Sequence, residues 1–212
     1  NEFLKGILKL GFKYMVIQVG MLIIFSFDNY IISNAFSPTQ VTPYEIVNKL
    51  FQFPLMILFA AISPLWSMFA KNYIENNKLA LLNSFKKFNY YFIGISVLVL
   101  TGIVISPFII SIWIKDPIVI PQYLILLTGI VTLLRIFAAF YSFFLNGIGN
   151  LNAYIYILVI SVVIKIPLSY FFVDLGFDIN SVVLSSLVIM VLWLLFIPYK
   201  CYKIVNSIVL NE

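Results

Sequence analysis

Four ionisable residues stand inside otherwise apolar stretches of this 212-residue chain: Asp28, Lys49, Arg135 and Lys165. An ionised side chain at the centre of a bilayer costs roughly 2.5–3.5 kcal/mol on insertion scales, so such groups usually face protein or a water-filled cavity. Three of the four are cations and one is an anion. This balance predicts a positively charged interior that favours an anionic ligand such as a phosphate.

Asp28 and Lys49 are placed so that they can meet. At about 1.5 Å per helical residue, each lies roughly 9–10 Å below the same end of two consecutive antiparallel helices, with Glu45 nearer that end. One interpretation is a structural ion pair, in which the long Lys49 stem also reaches outward. The other is a polar gate or an ion-coupling site, with Asp28 as the deep carboxylate for a proton or a sodium ion.

Arg135 and Lys165 have no obvious acidic partner on their own predicted spans. Arg135 stands near the middle of its span, too deep to reach water, whereas the Lys165 stem could snorkel to the nearer end. One interpretation supplies the missing counter-ion from outside, as an anionic substrate bound by both residues. The other satisfies Arg135 by hydrogen bonds to backbone carbonyls at proline kinks.

The elements that position these residues are predicted to be membrane-spanning helices. The chain is 63% hydrophobic and 10% charged, against roughly 45–50% and about 25% in soluble domains. About 20 consecutive apolar residues cross a bilayer, and we predict six such spans, with kinks at Pro54 and Pro64 in the second. The spans are residues 10–35, 43–69, 88–114, 121–145, 153–173 and 177–199. The prediction is an all-α polytopic membrane protein with one six-helix bundle over residues 1–212.

The lysines predict the orientation of these spans. Nine of them fall on the side that holds both termini, and only Lys115 falls on the other side. Because lysine and arginine accumulate in cytoplasmic loops, both termini are predicted to be cytoplasmic. Residues 71–87 carry four of the nine lysines, and their apolar residues recur at helical spacing, so we predict a short surface helix there.

Composition and motifs exclude several kinds of chemistry. The chain has no histidine, which removes histidine metal sites and triads, and a lone Cys201 cannot form an internal disulfide. No nucleophile elbow, paired carboxylates or Walker motif occurs, and the Gly-x-Gly of residues 146–150 follows no strand. We therefore expect no enzymatic activity, no cofactor, no metal and no nucleic-acid partner.

The order and spacing of several motifs resemble the second half of bacterial O-antigen flippases. These are polysaccharide-transport members of the superfamily that includes the multidrug and toxin extrusion carriers. The resemblance spans most of the chain, and Asn150 departs from it, since a basic residue often follows that turn in the family. The motifs are residues 27–32 (FDNYII), 41–44 (VTPY), 48–51 (NKLF), 63–66 (SPLW) and 146–149 (NGIG).

The resemblance implies a carrier of two six-helix lobes, of which this chain would be the C-terminal half. The chain begins without a methionine, which also indicates a fragment. Such carriers flip undecaprenyl-pyrophosphate-linked oligosaccharides across the bacterial inner membrane by alternating access. Arg135 and Lys165 would bind the pyrophosphate, and Asp28 with Lys49 would form the gate. Further expected partners are membrane lipid, a polysaccharide polymerase and chain-length proteins.

Three other functions stay open at this level. A multidrug exporter of the same superfamily would favour an acidic cavity for cationic drugs, which the intramembrane cations oppose. A membrane polysaccharide polymerase or glycosyltransferase would need a large outer loop with catalytic groups, and the predicted outer loops are short. A scaffold subunit that transports nothing would leave Arg135 without a role.

Overall fold

The computed structural model describes residues 2–114 and 118–208, and these residues are almost entirely helical. They contain no strand, so the predicted all-α fold class is confirmed. A short 3₁₀ helix, Pro38–Gln40, joins the first two α-helices. The α-helices are α1 (Glu2–Ala35), α2 (Val41–Ile62), α3 (Leu65–Ile74), α4 (Lys78–Trp113), α5 (Leu124–Gly147), α6 (Leu151–Asp174) and α7 (Asn180–Asn206).

Five of the described helices are long and apolar enough to cross a membrane, and α2 with α3 give a sixth crossing if the two form one span. Their axes differ by 43° across a break between Ile62 and Leu65. Pro64 lies in that break, where a residue without a backbone N–H cannot continue the helical hydrogen bonds. The kink predicted at Pro64 is confirmed, and the chain is a multi-pass membrane protein.

The segment predicted as a separate surface helix is divided between the end of α3 and the start of α4, so that prediction is wrong. Lys71 belongs to α3, and the residues from Lys78 onward form the start of α4. The Asn77 side chain accepts a hydrogen bond from the Ala80 N–H at 3.0 Å, which caps α4 ten residues before the predicted membrane boundary. The predicted loop at residues 115–117 lies outside the described residues.

Two hydrogen bonds bring the helix ends that carry the lysines together. Lys78 at the start of α4 donates to the Asn206 carbonyl at the end of α7, at 3.1 Å. Lys13 of α1 donates to the Asn152 side chain at the start of α6, at 2.7 Å. We call this the lysine-rich end of the bundle. The arrangement agrees with the lysine grouping used to predict orientation.

An aromatic cluster packs α3, α4 and α5 together. The rings of Phe88 and Phe140 stack in parallel, with centroids 3.6 Å apart and planes at 2°. Phe69 and Phe144 meet edge to face at 5.6 Å, which is the other favoured aromatic geometry. Behind this cluster, the buried Cys201 Sγ lies 3.3 Å from the Tyr141 carbonyl oxygen. The cluster gives α5, which carries Arg135, a rigid support.

Gly147, the last residue of α5, allows α3 to approach closely. A Cβ atom built there would lie 2.7 Å from the Trp66 backbone oxygen. We expect Gly147→Ala to lower the free energy of unfolding by about 1–3 kcal/mol, since helix α3 must move to admit the methyl group. Thermal unfolding of the purified protein in detergent measures the effect.

Gly94→Ala is the matched control, because the same methyl group on α4 meets no atom within 4 Å. Alanine favours the helical backbone over glycine by about 0.5–1 kcal/mol, so this variant should be neutral or slightly stabilised. Equal effects of the two substitutions would contradict the close approach of α3 and α5.

Candidate functional site

A buried ion pair joins α1 to α6. The Lys165 ammonium lies 2.6 Å from Asp28 Oδ1, and the two side chains are 1% and 3% exposed. The residues lie at similar depth, seven positions from the end of α1 and nine from the end of α6, or roughly 10–14 Å along the helix axes. Lys165 thus has its counter-ion inside the protein.

Helix α7 surrounds the same ammonium with three neutral oxygens. Lys165 donates to the Val182 carbonyl at 2.9 Å, to Ser185 Oγ at 3.0 Å and to Ser186 Oγ at 2.5 Å. Ser169, one turn along α6, lies 2.7 Å from the Ser185 hydroxyl and extends the polar cluster. In this conformation the Lys165 ammonium is fully occupied by protein oxygens.

The other carboxylate oxygen of Asp28 is held by α2. Tyr44 donates its hydroxyl hydrogen to Asp28 Oδ2 at 2.8 Å, and both side chains are buried. A hydrogen bond to a charged acceptor contributes about 1.5–3 kcal/mol, more than one between neutral groups. Asp28 therefore connects α1, α2 and α6.

The expected contact between Asp28 and Lys49 is wrong. The Lys49 side chain is 64% exposed and its ammonium lies 3.8 Å from Glu45, one helical turn away on α2. Glu45 also accepts a hydrogen bond from Asn29 at 2.7 Å. Lys49 therefore lies on a face of α2 that is turned away from Asp28.

Among the three cations predicted at membrane depth, Arg135 is the one without an acidic partner in the described part of the chain. Its guanidinium carbon lies 3.8 Å above the centroid of the Phe25 ring, a cation–π contact between α5 and α1. Neither an ion pair nor a hydrogen bond of its guanidinium occurs within residues 2–114 and 118–208. The guanidinium has its planar donor fork available for an anion.

A small polar cavity lies between Arg135 and the buried ion pair. Its volume is about 30 Å³, and Asp28, Tyr44, Thr128 and Ser186 contribute to its wall. This exceeds the roughly 10–15 Å³ that one water molecule requires. The Thr128 hydroxyl is buried without a hydrogen-bond partner among the described residues, so the cavity offers polar groups for a water or a ligand atom.

Helix α5 presents this polar face at regular spacing. Thr128, Thr132 and Arg135 all line the cavity and follow one another at intervals of four and three residues, which places them on one side of a helix. Thr132 also lines a second recess of about 400 Å³ between α2 and α4, whose wall is otherwise apolar apart from Ser106. One residue therefore separates a cationic polar pocket from an apolar groove.

The apolar groove continues toward the lysine-rich end. A neighbouring recess of about 300 Å³ shares Leu58, Ile95 and Ile136 with it and extends to Lys87. Together the two recesses form what we call the α2–α4 groove, which runs along α5. A long apolar chain fits such a surface, because its methylene groups can pack against the apolar side chains that line it.

Sequence reasoning selected Asp28, Arg135 and Lys165 but missed Tyr44, Ser185 and Ser186. The serines carried a usable signal, since three serines of α7, including Ser181, lie on one side of an otherwise apolar helix. Tyr44 stands in one of the quoted motifs, yet its hydroxyl has no distinguishing pattern. The sequence shows which residues are polar, but it does not show which helices pack together, and this is why these residues were missed.

Comparison with known protein families identifies one family that matches this chain. A family model described as MatE matches residues 14–171, well over half of the chain, and the matched region contains the ion pair, Lys49 and Arg135. Neither the curated proteins nor the solved structures give a significant match.

Proposed function

Because the chain belongs to the MatE family of membrane transporters, we propose that it moves undecaprenyl-pyrophosphate-linked oligosaccharides across the bacterial inner membrane. The carrier would alternate between two access states, as repeat-based transporters do. Its substrates would be O-antigen or capsule repeat units. No enzymatic step is part of the proposal.

The observation that carries the proposal is the charge of Arg135. The Asp28 and Lys165 charges cancel at 2.6 Å, so the pocket between α1 and α5 is left with one uncompensated cation among the described residues. A guanidinium binds phosphate through two parallel N–H···O bonds, which gives both energy and orientation. The pyrophosphate group is the anionic part of the proposed substrate.

The α2–α4 groove supports a lipid-linked substrate over a free sugar phosphate. It touches the Arg135 pocket through Thr132, so an anionic head group at Arg135 could leave its hydrocarbon chain against Leu55 and Ile136. The chain would come from lipid and not from water, so van der Waals packing rather than the hydrophobic effect would favour this contact. The groove and the pocket thus match the two chemically different parts of one molecule.

The proposed gate uses Asp28 and Lys165 in place of Asp28 and Lys49. Breaking their contact would separate α1 and α2 from α6 and α7, which the network of Tyr44, Asp28 and Ser186 now joins. In that open state Lys165 would be available as a second cation for the pyrophosphate. In the present closed state Arg135 is the unpaired cation of the pocket, whose volume of about 30 Å³ would have to increase to admit a pyrophosphate.

The same charge balance disfavours a multidrug exporter of the same superfamily. A pocket for cationic drugs requires an uncompensated anion, and the carboxylate of Asp28 is paired and nearly inaccessible at 3% exposure. The remaining positive charge on Arg135 would repel such substrates.

Reconstitution of the protein into lipid vesicles tests the proposal directly. A fluorescent oligosaccharide linked to undecaprenyl pyrophosphate is placed in both leaflets, and a quencher that cannot cross the bilayer reports how much becomes accessible. We expect the protein to raise the accessible fraction from about one half toward completion, as lipid probes in the inner leaflet reach the outer one. Empty vesicles are the control.

A parallel measurement with the cationic dye ethidium separates the two transport functions. Dye movement across the vesicle membrane without movement of the lipid-linked oligosaccharide would contradict the flippase proposal and favour the exporter. Inactivity toward both substrates would also contradict it, provided that the reconstituted protein contains both expected six-helix lobes and that its unfolding temperature shows it to be folded.

A further inference from the structure

We infer that the Lys165 ammonium occupies a monovalent-cation site, so that this helical bundle carries its own tethered cation where an ion from solution would otherwise bind. The site consists of Asp28 Oδ1 from α1 and three oxygens from the Val182–Ser186 turn of α7. This inference goes beyond the proposed function and does not depend on which substrate is transported.

The coordination of the ammonium is that of a bound ion rather than of a simple salt bridge. Four oxygens from two helices lie between 2.5 and 3.0 Å from Nζ, and the side chain that carries Nζ comes from a third helix. An ion pair needs only one acceptor. An ammonium has only three hydrogens to donate, so the fourth oxygen is held by charge, as it would be around a metal ion.

The orientation of the two serine hydroxyls favours a cation between them. Ser185 and Ser186 both donate to the Val182 carbonyl, at 2.8 and 3.0 Å. Since each hydroxyl has a single hydrogen, a hydroxyl that donates it to Val182 can only accept from Lys165. The turn of α7 therefore offers acceptor atoms to the site before the lysine is considered.

The charge and number of the oxygens select a monovalent ion. One carboxylate neutralises one positive charge, and the other three oxygens are neutral. Divalent ions such as Ca²⁺ take six to eight oxygen ligands, usually with several carboxylates. With both charges of the pair at most 3% exposed, a divalent ion would leave a net positive charge in a nearly water-free place.

The tethered ammonium removes the need for an ion from solution at Asp28. Sodium coupling at this carboxylate, one of the interpretations of the sequence, would require Lys165 to leave first. The cavity of about 30 Å³ beside Asp28 and Ser186 would then give a small ion room to enter. In the closed state described here the lysine holds the place.

Lys165→Ala tests the inference by removing the tethered cation and leaving the oxygens. The unfolding temperature of the purified variant is measured in sodium chloride, potassium chloride and choline chloride at equal ionic strength. We expect it to be several degrees higher in the sodium or potassium salt, because an ion that binds only the folded state stabilises that state. Choline is too large to enter.

Two controls accompany this variant. The wild type should unfold at the same temperature in all three salts, because its site is filled. Lys165→Ala combined with Asp28→Asn should lose the salt preference, because the site then lacks its carboxylate. Both results support the inference.

The inference is overturned if Lys165→Ala unfolds at the same temperature in all three salts. It is also overturned if the wild type itself gains stability from sodium or potassium and loses this gain on Asp28→Asn. The wild-type comparison decides the matter if Lys165→Ala cannot be purified in any salt.

Discussion

Arg135→Ala should reduce movement of the lipid-linked oligosaccharide at least about tenfold while the protein reaches the membrane at its normal level. A hydrogen bond to a charged group is worth about 1.5–3 kcal/mol, and about 1.4 kcal/mol corresponds to a factor of ten. The folded protein loses only the cation–π contact with Phe25 at 3.8 Å, which contributes about 0.5–2 kcal/mol. Vesicle flipping assays and membrane protein level measure the two effects separately.

Two further variants sharpen this prediction. Lys49→Ala removes one positive charge from a side chain that is 64% exposed, and transport should stay close to that of the wild type. Arg135→Lys keeps the charge without the planar fork, so its transport should fall between those of the wild type and the alanine variant. Undiminished transport by Arg135→Ala would remove this residue from the substrate pocket.

Asp28→Asn should lower the free energy of unfolding by about 3–5 kcal/mol, because it leaves the Lys165 ammonium buried without a counter-ion. For chains of this length, each 1 kcal/mol shifts the unfolding temperature by roughly 2–4 °C, so the variant should lose at least about 6 °C. Both side chains are at most 3% exposed, which leaves little water to compensate. Thermal unfolding in detergent measures the change.

Glu45→Gln is the matched control for this variant. It removes the charge from a surface pair, Glu45 with Lys49 at 3.8 Å, and such pairs contribute at most about 1 kcal/mol. The double variant Asp28→Asn with Lys165→Met should regain most of the loss, because no unpaired charge remains. If Asp28→Asn is no more harmful than Glu45→Gln, the buried pair does not stabilise the fold.

Hydropathy predicted which segments form long apolar helices but not where those helices begin and end. The fourth helix starts at Lys78 instead of residue 88, and the last one extends to Asn206 instead of 199. A hydropathy window detects the boundary of the hydrocarbon, while a helix continues into water wherever its residues and caps allow. Asn77 could have indicated the start of α4, since asparagine is a preferred N-cap residue.

The sequence predicted the charged residues of the candidate site but assigned Asp28 the wrong ion-pair partner. Asp28 and Lys165 are separated by 137 positions, and the expected partner of Asp28 was the nearer Lys49. A Cβ atom on Gly20 would lie 2.7 Å from Leu158, so this glycine lets α1 lie closely against α6. Small residues mark close helix contacts without naming the partner helix. Asp28 and Lys165 lie at similar distances from the ends of their helices, and this could have suggested the ion pair.

The position of Cys201 has a practical consequence for the chemistry of thiols. It is the single cysteine of the sequence, it is 0% exposed, and its sulfur lies against the Tyr141 carbonyl. Maleimides and spin labels react with accessible thiolates, so the native chain should stay unlabelled. A cysteine introduced at Thr132 would then be the one reactive thiol, and its labelling rate would report when the pocket opens.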